Sequence, residues 1–140
     1  MKHRSIWILT VLIFLMQGAV HLPAQSIKLM ADIPFGFVAG GLTFPAGQYS
    51  VESLPPHIVR VRSSDSRLSA AFLTIGVSAR DPQARARLVF NRYGETYFLS
   101  QIWSPGYSTG REVPKSRLED RLAQSEPTPQ RREIALRRSR

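Results

Sequence analysis

Between Ser26 and Ser104 apolar and polar residues alternate in short runs, and helical periodicity is absent from the stretch. Ile27, Leu29, Ala31 and Ile33 alternate with Lys28, Met30 and Asp32, giving a strand with one apolar and one mixed face. Pro34 ends or bends it. Short segments at 35–38 and 42–44 flank a Gly40-Gly41 turn. In Pro45-Ala46-Gly47, proline sets its own φ and glycine supplies a positive one, so another turn follows. Tyr49 and Val51 mark the next strand, Pro55-Pro56 stops it, and 58–62 runs to a polar turn at Ser63 to Ser66. Residues 68–78 form the most apolar segment and are expected to be the most buried. Asp81-Pro82 then opens a loop to Ala86.

The clearest local structure is a hairpin in which 87–93 and 96–103 flank Gly94-Glu95, because glycine at the first of two loop positions suits a type II′ turn. That turn fixes a register. Tyr93 is expected opposite Thr96, Arg92 opposite Tyr97, Phe90 opposite Leu99 and Leu88 opposite Gln101. Leu88, Phe90, Leu99 and Trp103 then share a core face, with Arg92 against Tyr97 at its rim as a cation–π pair. Tyr93, Phe98 and Ile102 make the opposite face apolar enough to need cover. The predicted cover is a helix over about 114–124, started by Pro114 or by the capping box of Ser116 and Glu119, with Leu118 and Leu122 on one side.

These patterns predict an all-β fold: one antiparallel β-sandwich or partly closed barrel of about seven or eight short strands, spanning 25–124 and ending in that helix. The Arg-rich tail over 125–140 is expected to be disordered, since Pro127-Thr128-Pro129 and Arg131, Arg132, Arg137, Arg138 and Arg140 offer little area to bury.

Residues 1–24 differ in kind. Lys2 and Arg4 precede an uncharged apolar run from Ile6 to Met16, the pattern of a cleavable signal peptide, and the run is shorter than the roughly 20 apolar residues a spanning helix needs. Cleavage is expected after Ala24, leaving Gln25 as the new terminus, although Leu22 is larger than the usual small residue three before the cut. The mature chain is therefore expected to be exported, periplasmic or secreted, and to carry no transmembrane segment. The sequence has no cysteine, so in an oxidising compartment its fold must hold by its core alone. Removing Lys2 and Arg4 takes the formal charge from +9 to +7, nearly all of the excess being arginine. Outside the cytoplasm such a surface suits an envelope glycan, an anionic lipid or a protein partner rather than nucleic acid.

The blocks ADIPFGFVAGGLTFPAGQYSVE at 31–52, LVFNRYGETYFLSQIWSPG at 88–106 and TGREVPKS at 109–116 resemble a family of small exported bacterial proteins with a signal peptide, a β-rich domain and no assigned activity. The resemblance implies compartment and fold. It carries no catalytic residues.

Nor do the residues themselves assemble a catalyst. Gly106-Tyr107-Ser108-Thr109-Gly110 has the G-x-S-x-G spacing of a nucleophile elbow, but no histidine follows Ser108 and the context is strand-rich. Asp32, Glu52, Asp65, Asp81 and Glu95 fall at strand ends and turns without a distinguishing pair, and one mature-chain histidine, His57, gives no metal-ligand spacing. No cofactor is expected. The binding candidates are aromatics: Tyr93, Phe98 and Tyr107, with Arg92 and Tyr97 at the edge, since flat rings combine area with a polar tip. Tyr93 and Phe98 have a competing role, packing under the helix. The reading is a noncatalytic exported binding or structural module; a small hydrolase of glycans or esters, and an assembly subunit pairing by strand edges, are its alternatives.

Overall fold

In the computed structural model, which describes residues 26–139, the alternation around Ala31 becomes β1 (Lys28–Ile33), with Leu29, Ala31 and Ile33 buried. The expected leader, over 1–24, and the expected cleavage after Ala24 lie outside the described residues. Ten further strands follow: β2 (Phe37–Ala39), β3 (Leu42–Phe44), β4 (Gly47–Leu54), β5 (Ile58–Ser63), β6 (Ser69–Leu73), β7 (Ile75–Ser78), β8 (Arg87–Tyr93), β9 (Thr96–Trp103), β10 (Thr109–Glu112) and β11 (Gln130–Arg138). One helix, α1 (Arg117–Ser125), precedes the last strand. The fold is thus strand-rich, as expected, but it holds more strands than seven or eight. It is also mixed rather than antiparallel, because β2 runs parallel to β9.

The strands form one sheet in the order β3-β2-β9-β8-β11-β1-β4-β5-β6, with β10 beside the C-terminal part of β9 and β7 beside β10. Residues 69–78 nearly close the ring. Up to Leu73 they pair with β5, the segment breaks at Thr74, and from Ile75 they pair with β10. Thr74 fixes the break, its amide and hydroxyl both donating to the His57 carbonyl at 2.8 and 2.9 Å. Expectation fails at this segment. Leu73 and Ile75 are 69% and 58% exposed, because both point to the outer face while Ala70 and Phe72 turn inward.

The disordered tail is overturned as well. β11 lies between β8 and β1, so both of its backbone edges are paired. Ile134 and Leu136 supply the period-2 apolar face that enters the core, and the charges that precede them on the other face stay solvated: Arg131 donates to Gln101 at 3.1 Å, and Glu133 meets Arg87 at 3.3 Å. Net charge predicts disorder only when apolar residues are too few or wrongly spaced, and here two suffice because the neighbouring strands provide the rest of the core.

The barrel interior is asymmetric. At one end Phe37 packs edge-on to Tyr49 and Phe90, with ring centroids 5.2 and 5.4 Å away, and stacks on Phe44 at 5.1 Å. Phe35 and Tyr97 close that end, stacked at 3.8 Å. Toward the opposite end the interior side chains shrink, and Ser53, Gly76, Ser78 and Thr109 leave open space rather than filled core.

The hairpin forms with its expected turn, Gly94 having φ +58°, and with its expected register as far as Phe90 opposite Leu99. Beyond that a β-bulge leaves Ser100 unmatched, so Leu88 faces Ile102 instead of Gln101. The extra residue reverses the faces. Ile102 joins the core, and Trp103 lies buried on the outer side, with Arg87 5.7 Å from its ring centroid. The carbonyl of the bulged Ser100 is not wasted, since it accepts from the Val113 amide at 2.8 Å.

Candidate functional site

Five aromatic and basic side chains were candidates for ligand contact, and four of them are committed to structure. Tyr93 and Phe98 are 3% and 2% exposed and pack with Val38 beneath Leu122 and Ala123 of α1. Tyr97 is covered by Phe35, and Arg92, 5.4 Å from the Tyr97 ring centroid, donates to the Gly94 carbonyl at 2.7 Å and to Glu95 at 3.0 Å. A ligand cannot reach the first two rings without displacing the helix. Tyr107 differs. It is 56% exposed on the loop between β9 and β10.

The helix that covers Tyr93 is capped by Ser116, whose hydroxyl accepts from the Glu119 amide at 3.2 Å, an arrangement worth about 1 kcal/mol. Its inner face keeps the expected Leu122 but not Leu118. Leu118 is exposed, whereas the Glu119 carboxylate is buried against the sheet, accepting from Asn91 at 3.2 Å. Burial raises the Glu119 pKa, opposed by the Asn91 hydrogen bond and by Lys115. The Tyr93 hydroxyl beside it is also pushed up, chiefly by burial and then by the Glu119 charge. An acid with a raised folded-state pKa binds more protons folded than unfolded, so its contribution falls as pH rises from the ordinary Glu value to the raised one. Melting temperature is therefore expected to fall across that interval, and Glu119→Gln to flatten the slope. Equal slopes in wild type and variant would show that Glu119 is not responsible.

Around Tyr107 the open end of the barrel forms two clefts of about 500 Å³ each, within the size range of small-ligand sites. One lies between the β7–β10 ribbon and Ser53 of β4, the other beside β11 and Pro105. Ile27 and Tyr107 line both, so the clefts meet at these two exposed apolar side chains. Three arginines line them as well: Arg111 the first, Arg85 and Arg138 the second. Among the described lining residues there is no carboxylate.

Arg85, Arg111 and Arg138 escape sequence reasoning because they come from three distant segments that only the sheet order brings together. The one available signal was that Arg111 falls inside the TGREVPKS block.

The G-x-S-x-G segment does not build an elbow. It leads into β10, not a helix, and its backbone is tied down, the Tyr107 and Ser108 carbonyls accepting from Gln83 and Ala79 at 2.9 and 2.7 Å. The carboxylates are dispersed: Glu52 meets Ser26 and Arg60, Asp65 turns onto Ser63 and Arg67, and Glu95 meets Arg92. Among the described residues no helix is long and apolar enough to cross a membrane. Compared with known proteins, the chain matches no family model, no curated protein and no solved structure.

Proposed function

We propose that the chain is a noncatalytic binding module of the exported family its sequence blocks resemble, and that it takes an anionic ligand at the open end of the barrel. One observation carries the reading: an exposed Tyr107 between two clefts rimmed by arginines and, among the described residues, no carboxylate. An aromatic platform beside uncompensated guanidinium groups favours a ligand with a flat or apolar face and negative charge. Export accounts for the leader, and the cysteine-free core fits a fold stable in any redox environment.

Three probes separate the ligand classes: a labelled acidic oligosaccharide, phosphatidylglycerol vesicles and a labelled acidic peptide. Wild type is expected to bind at least one, and Tyr107→Ala to lose it while unfolding stability stays within about 0.5 kcal/mol, as for an exposed side chain. Unchanged binding by Tyr107→Ala, or no binding of any probe, would remove the site from this end of the barrel.

A second reading, an assembly subunit, is supported by the exposed Leu73 and Ile75 on either side of the Thr74 break, where β6 and β7 each pair on one side only. Sedimentation distinguishes the two: an assembly subunit grows with concentration in the absence of any probe.

A further inference from the structure

We infer that Arg111 is the carboxylate-reading group of the open end, and that the ligand is a glycan bearing uronic acid; the inference rests on the binding-module reading above. Arg111 pairs across from Ile102, an interior residue, so its side chain is directed into the mouth rather than onto the outer surface. There it bridges from β10 to the turn between β4 and β5. Its Nη1 lies 2.7 Å from His57 Nδ1, and its Nη2 donates to the Pro56 carbonyl at 3.3 Å.

Neither partner is a carboxylate: a guanidinium N–H meets the His57 ring at Nδ1, and Pro56 offers a carbonyl. They orient Arg111 and leave its charge uncompensated. A guanidinium carries five N–H donors, so these two contacts leave three, enough for the parallel pair of hydrogen bonds that a carboxylate accepts. Four other arginines are already paired. Arg60, Arg67, Arg87 and Arg92 each meet a carboxylate between 3.0 and 3.6 Å.

The remaining walls select the class of ligand. Ser53, Ser78, Ser104 and Thr109 bring hydroxyls to the cleft that Arg111 lines, and Tyr107 offers a ring at its edge. Hydroxyl groups both donate and accept, which matches the hydroxyls of a sugar, and a ring face matches the C–H face of a pyranose. An acyl chain would require a continuous apolar wall, which these hydroxyls interrupt. A uronate supplies all three features at once: hydroxyls, an apolar ring face and a planar carboxylate.

The test titrates the protein with a galacturonic acid trisaccharide, a neutral galactose trisaccharide and a glutamate tripeptide, following the Arg111 Nε–H and Tyr107 ring resonances by NMR. The acidic sugar is expected to bind at least about tenfold more tightly than the neutral one, the scale of one charge-assisted hydrogen-bonding pair. Arg111→Gln is expected to erase that preference while neutral-sugar binding persists. Arg111→Lys, which keeps the charge without the fork, is expected to retain only part of it. A preference that survives in Arg111→Gln with an unchanged melting curve overturns the assignment of Arg111 and leaves the binding module intact. Equal affinity for the glutamate tripeptide overturns the glycan. Absence of any shift at Tyr107 with all three probes, and with phosphatidylglycerol vesicles, overturns the binding-module reading itself.

Discussion

A chain ending at Pro129 is expected to lose its cooperative unfolding transition altogether, with far-UV circular dichroism showing no sigmoidal melt. β11 contributes six register pairs with β8 and three with β1, and it stands between them. Its removal does more than shorten the sheet. It creates two unpaired edges in the middle of the order and strips Ile134 and Leu136 from the core. Each paired backbone hydrogen bond is worth about 0.5–1.5 kcal/mol net, and burial of a leucine adds roughly 1.5–3 kcal/mol. The sum reaches the roughly 5–15 kcal/mol by which a whole domain is stable. A solvated tail would instead leave the melting temperature unchanged on deletion, and that result would remove β11 from the fold.

Phe37→Ala is the point substitution with the largest expected effect, destabilising by about 3–5 kcal/mol. Its ring meets three other rings within 5.4 Å and is almost fully buried, so truncation leaves a cavity that Phe44, Tyr49 and Phe90 can fill only by leaving their present contacts. For a domain of this size the loss corresponds to a fall in melting temperature on the order of 15 °C, measured by calorimetry. A fall of only one or two degrees would mean that the aromatic end collapses around the vacancy.

The strands of the first hundred residues are legible in the sequence because alternation and turn chemistry agree there. The Gly94 turn and the pairing of Phe90 with Leu99 follow from two loop residues alone. Legibility stops at Ser100, since a bulge is a choice made by the third dimension: the extra residue is stabilised by a hydrogen bond to Val113, far along the chain. The same holds for residues 68–78, whose apolar character signals burial although half of their side chains face outward near a barrel seam. At β11 the short apolar period of Ile134 and Leu136 is present but outweighed by four arginines. Of the candidate site, Tyr107 is legible as an aromatic in a Gly/Pro/Ser loop. Its guanidinium neighbours are not, because proximity among Arg85, Arg111 and Arg138 exists only after β11 has joined β1 and β8.

That central position of the last strand also sets a clock. A ribosome makes β1 and β8 before β11, so both wait for the partner that they share. Pairings between such distant segments form late and slowly. The sheet cannot be completed while β11 remains in the ribosome. For a protein that is exported, as proposed, this ordering keeps the polypeptide threadable until β11 has been made.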